Sequence, residues 1–333
     1  MTAPAIDALC IGNAIVDILA HAEDDFLAGE GLVKGSMRLI DEAEAGRLYA
    51  AMGPTVEVSG GCAGNTAAGV ASLGAQAAFI GKIASDALGR TFRHDITAAG
   101  VAFPTACLEG GPATARSMIL VTPDGERTMN TFLGACQELT PADIDGAVVA
   151  SAATTYLEGY LWDPPKAKDA FRKAATLAHA AGRRVALTLS DSFCVDRFRD
   201  EFLGLIRDRS VDLVFANEGE IRSLYQTADF DTAVAAARAD CRLCAITMGE
   251  RGSLVVTHRE THHVPARPID RIVDLTGAGD LYAAGFLTGL ARDFPLAKCA
   301  RLGGLCAAEV IGHLGARPEA RLVDLAAEAG FAA

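Results

Sequence analysis

Apolar residues open this chain in short runs punctuated by turn formers. Residues 8–11 end at Gly12-Asn13, and residues 15–20 are apolar except for Asp17. Both runs are too short for helices and are bounded by turn residues, so both are predicted strands. A further extended piece is expected within 31–40, a helix over 66–73, a strand over 77–80 and a helix over 87–99. From 105 to 133 no helical period is present. Residues 114–121 and 127–133 are strand-like, and Pro123-Asp124-Gly125-Glu126 between them is a hairpin signal. With 15–40, this block predicts a small separate sheet. Beyond Leu139, strands (154–157, 184–189, 213–216, 244–248, 254–257) alternate with helices (165–180, 218–225, 232–239, 279–291, 295–311). That alternation implies a mainly parallel sheet covered by helices on both faces. With no repeat, linker or charged tail, 1–333 reads as one α/β unit.

The chemistry concentrates at Asp274-Leu275-Thr276-Gly277-Ala278-Gly279-Asp280, between a strand-like run at 271–273 and a helical segment. Glycines at such a turn let N–H groups converge, and the helix dipole adds positive potential, which together form an anion hole. Asp280 on that turn would repel an anion. Its sensible role is to take a proton from a hydroxyl attacking phosphorus, so the segment reads as phosphoryl transfer to an alcohol. Taken alone, it is also an ordinary helix start.

Four other segments are weaker by themselves. Gly60-Gly61-Cys62-Ala63-Gly64-Asn65 permits close backbone approach, and Asn65 offers a donor and an acceptor to vicinal hydroxyls, yet it reads equally as a tight turn with a cap. Asp17, between Val16 and Ile18, is either a carboxylate for a polyol or an outward-facing strand residue. Asn217-Glu218-Gly219-Glu220 follows an apolar strand, where open sheets bind ligands. Glu220 suits Mg²⁺ through water, while the same residues make an ordinary helix cap. Thr247-Met248-Gly249-Glu250-Arg251-Gly252 is a turn at another strand end.

Composition narrows the class. The chain has 333 residues, half of them hydrophobic, and a net charge of −12. That charge argues against nucleic acid and anionic membrane as partners. No apolar run approaches the ~20 residues that span a bilayer. The first residues lack the character of a signal peptide, so a cytoplasmic location is expected. Nine cysteines without regular spacing are expected to be reduced and mostly buried. Cys241-Arg-Leu-Cys244 lacks a second ligand pair for zinc, and His262-His263 reads as an exposed strand or turn pair. A GxxxxGK[ST] loop is absent, and no GxGxxG follows the first strand, which sets aside P-loop kinases and dinucleotide-dependent dehydrogenases.

In their order and spacing these segments resemble the ribokinase, or phosphofructokinase-B, family of sugar and nucleoside kinases, over nearly the whole chain. The resemblance implies a three-layer α/β/α sandwich with a β-sheet lid from about 15–40 and 105–133. It implies ATP and Mg²⁺, with Asp280 as general base and Gly277, Ala278 and Gly279 donating anion-hole N–H groups. Asn217 and Glu220 would order the Mg²⁺–ATP phosphates, Glu220 through water, and the turn through Thr247, Gly249 and Gly252 would lie along ATP. Asn13, Asp17, Gly61 and Asn65 would hold acceptor hydroxyls. Asp274 and Thr276, with carbonyls of Val310 and Gly315, match the family's site for a monovalent cation such as K⁺. Asn13-Ala-Ile-Val-Asp17 and the Phe286-Leu-x-x-Leu290 segment resemble the adenosine-kinase branch, in which apolar lid residues enclose the purine. Ile15, Met37, Met129 and Leu133 are candidates, and Arg127 is placed to reach the phosphoryl group. The alternatives are a sugar or sugar-phosphate kinase, with Arg116 and Arg127 as clamp, and a non-catalytic nucleoside sensor. A monomer or a homodimer through the lid is expected.

Overall fold

The computed structural model describes residues 3–331. In chain order its strands are β1 (Ile6–Ile11), β2 (Ile15–His21), β3 (Met37–Leu39), β4 (Val56–Gly60), β5 (Ala77–Ile80), β6 (Val101–Ala102), β7 (Ala115–Val121) and β8 (Arg127–Phe132). They continue as β9 (Ala152–Glu158), β10 (Arg184–Thr188), β11 (Leu213–Asn217), β12 (Leu243–Thr247), β13 (Ser253–Thr257) and β14 (Thr261–Val264). The helices are α1 (Asp24–Gly29), α2 (Glu42–Ala51), α3 (Cys62–Ser72), α4 (Ala87–Ala98), α5 (Gly146–Ser151) and α6 (Pro165–Ala180). After them come α7 (Ser192–Arg207), α8 (Glu218–Leu224), α9 (Phe230–Asp240), α10 (Ala278–Ala291), α11 (Leu296–Val310) and α12 (Leu322–Glu328).

Nine strands form the main sheet in the order β14-β13-β12-β11-β10-β9-β1-β5-β6. Pairing is parallel from β12 to β6, and only β12–β13 and β13–β14 are antiparallel. Strand side chains alternate between two cores. Leu9, Ile11, Val214 and Ile246 meet Trp162, Phe171 and Phe202 on one face. Cys10, Tyr156, Phe215 and Ala245 meet Leu281, Phe286 and Leu302 on the other. With helices on both faces, the body is the expected three-layer α/β/α sandwich.

A second sheet, in the order β3-β8-β7-β2-β4, forms the lid. Val16, Ile18, Ala20, Met118 and Leu120 bury one of its faces against Leu27, Ala45 and Leu48. The opposite face carries Ile15, Asp17 and Leu19, which are only partly buried. The hairpin between β7 and β8 closes as expected, with the Thr122 N–H on the Glu126 carbonyl at 3.0 Å.

Several expectations need correction. The lid also contains β4 and the short helix α1, both unforeseen. Residues 271–273 are not a strand: the Val273 N–H bonds the Ile311 carbonyl at 2.8 Å, and Ile272 is exposed. Helix α3 begins at Cys62 rather than 66, because Gly61 at φ 86° turns the chain and acts as its N-cap. Helices α2 and α7 escaped the sequence reading, although Asp41 and Asp191 cap them through the backbone N–H groups of Glu44 and Cys194. Among the described residues no helix is long and apolar enough to cross a membrane.

One packing contact sets up the site. A Cβ on Gly69 of α3 would stand 2.6 Å from Leu281 Cδ1 and 2.7 Å from Ala284 Cβ of α10. Glycine there lets α3 lie against α10. Gly204 of α7 is the opposite case, with nothing within 4 Å of the same position. Gly69→Ala is therefore expected to destabilise the fold by about 1–3 kcal/mol through overpacking. Gly204→Ala is expected to stabilise it by about 0.4–1 kcal/mol through helix propensity and reduced chain entropy. Denaturant unfolding of the two variants reads both signs.

Candidate active site

Helix α10 starts from Gly277 at φ 80°, where a Cβ would meet Ala316 Cα at 2.8 Å. Only glycine fits that turn without strain. The Leu281 N–H closes the first turn on the Gly277 carbonyl at 2.8 Å, and the Ala278 N–H bends back to the Leu275 carbonyl at 3.2 Å. Nothing lies within 4 Å of a Cβ built on Gly279, so space is open above the turn. The turn thus sits at the positive end of a 14-residue helix, where an anion is favoured.

Asp280 stands in that first turn. Its Oδ2 accepts a hydrogen bond from Asn65 Nδ2 at 2.9 Å, and its carbonyl accepts one from Thr66 Oγ1 at 3.2 Å. Both donors come from α3, one turn before Gly69. Burial lifts the Asp280 carboxyl from its ordinary range to about 6, opposed by hydrogen bonds from Asn65 and Cys62 and by the Arg317 charge. A carboxylate with that acidity is ionised at neutral pH and basic enough to accept a proton. Asn65 Oδ1 is buried without a partner, so the side chain holds Asp280 through its amide N–H while its acceptor stays free.

The lid supplies the facing wall. Asp17 of β2 fills the space that Gly60 leaves: a Cβ on Gly60 would fall 2.2 Å from Asp17 Oδ2. Burial pushes Asp17 up to about 7, with Arg317 and Arg127 opposing and Asp280 adding to the rise. Cross-strand register groups the apolar candidates. Leu19, Ile119, Met129 and Met37 make one row, and Asp17, Ser117, Thr131 and Leu39 the next. Because paired residues share a face, Ile15 and Met129 lie on the face that bears Asp17. Leu133 falls beyond β8. Arg116 pairs with the buried Val16 on the opposite face, and its guanidinium lies 5.6 Å from the centre of the Phe132 ring. It is not positioned as an acceptor clamp.

Gly61 lets the chain pass close to Asn13: a Cβ there would fall 2.2 Å from the Asn13 carbonyl oxygen. The Asn13 side chain is held by a residue the sequence reading missed. Glu158, 1% exposed, accepts Asn13 Nδ2 at 2.8 Å, Asn13 N at 3.3 Å and Ala63 N at 2.9 Å. Burial raises its carboxyl to about 7. An acidic residue at the C-terminal end of an apolar parallel strand was the available signal. Arg317, also missed, donates to the Ser59 and Gly64 carbonyls at 2.8 Å each and so ties β4 of the lid to α3. Its loop has no periodicity to mark it.

On the other side, Asn217 and Glu220 form a reciprocal capping box at the start of α8. Asn217 Oδ1 accepts the Glu220 N–H at 2.9 Å, while Glu220 accepts Asn217 N at 2.9 Å and Nδ2 at 2.5 Å. The helix-cap reading of this segment therefore describes its geometry. Glu220 is buried, which lifts its carboxyl to about 7. Both residues lie at the C-terminal end of β11, and Thr247, its register partner, ends β12. Gly249 and Gly252 shape the following turn with φ of 60° and 84°.

The residues expected around a monovalent cation are gathered differently. Asp274 Oδ1 accepts the Thr276 N–H at 3.1 Å and the Thr276 hydroxyl at 2.7 Å; Oδ2 accepts the Gly315 N–H at 2.8 Å. Arg127 Nη2 lies 2.5 Å from the same Oδ2, and Nη1 donates to Thr276 Oγ1 at 3.2 Å. Val310 ends α11 with its side chain buried.

A mostly parallel sheet under a five-stranded lid, with an aspartate in the glycine turn where they meet, defines a phosphotransferase that acts on hydroxyl groups. The model of the pfkB family of carbohydrate kinases matches residues 35–321, and the chain belongs to that family. The crystal structure of adenosine kinase from Sinorhizobium meliloti is 57% identical, covers 97% of this chain and 99% of its own, and superposes with a TM-score of 0.91. A probable sugar kinase from Rhizobium etli CFN 42 is 52% identical, covers 99% of this chain and 100% of its own, and gives 0.93. Adenosine kinase of Saccharomyces cerevisiae is 28% identical over 339 residues, spanning 95% of this chain and 96% of its own.

The Asn65–Asp280 bond has a signature independent of turnover. Asn65→Ala removes the donor, so the Asp280 carboxyl is expected to titrate above its present value of about 6. A carboxyl ¹³C NMR titration of the wild type and the variant measures the shift. An unchanged titration would mean that the bond does not hold the charge in solution.

Proposed function

We propose that this protein transfers the γ-phosphoryl group of ATP to a primary hydroxyl of a ribose-containing acceptor, adenosine or a related nucleoside. The observation that carries the reading is the Asp280 carboxylate, held by Asn65 in the first turn of α10 directly after the glycine turn. Asp280 takes the proton of the acceptor hydroxyl as its oxygen bonds to the γ-phosphorus. The bond from that phosphorus to the bridging oxygen breaks, and ADP leaves. N–H groups of Gly277 and Gly279, with the helix dipole, stabilise charge on the transferring group, whereas the Ala278 N–H expected beside them is engaged by the Leu275 carbonyl.

Mg²⁺ would neutralise phosphate charge on the side of Asn217 and Glu220. Glu220, engaged with Asn217, would act there through water. Thr247, Gly249 and Gly252 would line the nucleotide. Asp17, Asn13, Gly61 and the free Oδ1 of Asn65 would receive the ribose hydroxyls, with Ile15 and Met129 against the base. Lid closure over them excludes water, which limits wasteful hydrolysis.

Two observations favour a nucleoside over a sugar phosphate. The face around Asp17 is apolar at Ile15, Leu19 and Met129, and Arg116 lies on the other face of the lid. The similarity to a probable sugar kinase keeps a free sugar as the second reading.

Turnover of ATP across adenosine, inosine, guanosine, ribose, fructose and fructose 6-phosphate separates the two. Adenosine is expected to be phosphorylated with the highest kcat/KM, and a higher value for a sugar would overturn the nucleoside reading. Asp280→Asn is expected to lower kcat by about 10²–10⁴ with little change in ATP affinity. In the wild type, kcat is expected to fall on acidification through about 6, as Asp280 takes up its proton. A pH profile flat through that region would remove Asp280 from the role of base.

A further inference from the structure

The family resemblance places a monovalent cation at Asp274 and Thr276, with carbonyls of Val310 and Gly315. The donors gathered there do not fit one. Asp274 Oδ1 accepts from Thr276 N and Oγ1, Oδ2 accepts from Gly315 N, and the Arg127 guanidinium forms an ion pair with Oδ2 without hydrogen-bond alignment. A hard cation needs several oxygen ligands at once. Here Gly315 turns its N–H, not its carbonyl, toward the carboxylate. The carbonyl after Val310, that of Ile311, accepts the Val273 N–H at 2.8 Å. An alkali ion at Asp274 would therefore face N–H hydrogens and the Arg127 guanidinium.

We infer that Arg127 replaces the cation: its guanidinium is a built-in positive charge that the lid delivers to the loop leading into the anion-hole turn. The pair is well enclosed, with side-chain exposures of 11% for Arg127 and 7% for Asp274. Removing one partner of such a pair leaves a buried charge uncompensated. The two partners also belong to different parts of the molecule. Arg127 begins β8 of the lid, whereas Asp274 and Thr276 lie four and two residues ahead of Ala278, the first residue of α10. Arg127 Nη1 reaches Thr276 Oγ1 as well, so one side chain grips the loop at two points. A free ion would order this loop whatever the state of the lid. An arginine carried on β8 orders it only while the lid is down, which ties the shape of the turn before Gly277 to closure over the acceptor.

The kinase reading matters only to the turnover arm of the test; the unfolding arm needs no activity. Wild type, Arg127→Ala and Arg127→Lys are compared in thermal unfolding, with potassium chloride against tetramethylammonium chloride at equal ionic strength. Wild-type Tm is expected to be the same in both salts. Arg127→Ala is expected to have a lower Tm, part of which potassium restores and tetramethylammonium does not. Arg127→Lys, which keeps the charge without the fork, is expected to fall between them and serves if the alanine variant does not fold. In the wild type, ATP turnover with the preferred acceptor is expected not to rise with potassium. A cation site coupled to catalysis would raise it by about fivefold or more. Saturable potassium-specific stabilisation or activation of the wild type would overturn the inference. So would a potassium response in both variants no larger than that of the wild type.

Discussion

The site depends on how closely α3 approaches α10. Gly69 removes the side chain that would hold the two helices apart, and Leu281 and Ala284 occupy the space it leaves. Because of that approach, Asn65 and Thr66 reach Asp280 across a separation of more than two hundred positions in sequence. The same closeness withdraws Asp280 partly from solvent, and that desolvation makes its carboxyl less acidic than usual. Packing, acidity and the direction of the carboxylate are one fact seen three ways. Helix α10 is held equally closely from its other side, where Gly285 and Gly303 let α11 approach.

Arg317 makes the complementary link. It comes from the loop after α11 and binds Ser59 in the lid and Gly64 in α3. Its charge opposes the rise that burial imposes on the carboxyls of both Asp17 and Asp280. The lid is thus joined to the body at two cationic points, Arg317 on β4 and Arg127 on β8. The second grips the loop before the glycine turn.

Much of this was legible in the sequence, and the remainder was not for identifiable reasons. Parallel strands buried on both faces read as continuous apolar runs, so β1, β5 and β9 to β12 could be placed, as could the antiparallel β13. The helix α6 announces itself by Pro165 and its apolar spacing. Helix α7 did not, because Phe198 interrupts it with non-helical angles and charged residues dilute its buried stripe. Strand β4 was missed because Glu57 and Ser59 break its pattern, although pairing with β2 makes it a strand. Glycine and aspartate motifs gave Asp280, Asn65 and Asp17, since each needs a particular residue at a particular turn. Glu158 and Arg317 act through tertiary neighbours that no local spacing encodes. Asn217 and Glu220 show the converse: a capping box and the proposed nucleotide site share one sequence pattern, and only the geometry reveals how fully the cap engages them.

The space between Asp17 and Asp280 is also a place where the fold works against itself. Asp17 and Asp280 reinforce each other's reluctance to ionise, Glu158 is lifted in the same direction, and Asn65 holds a buried oxygen with no donor. Carboxyls raised in this way stabilise the fold fully below their unfolded values and lose that contribution as pH rises through about 6 to 7. At neutral pH this part of the site is therefore locally frustrated, with raised carboxyls beside an unpartnered Asn65 oxygen. Under the proposed function, a polyol would bring hydroxyl donors to these acceptors, and what binds only the folded state raises its stability by mass action. Selectivity then has a source beyond shape: molecules short of donors leave the frustration in place, however well they fit.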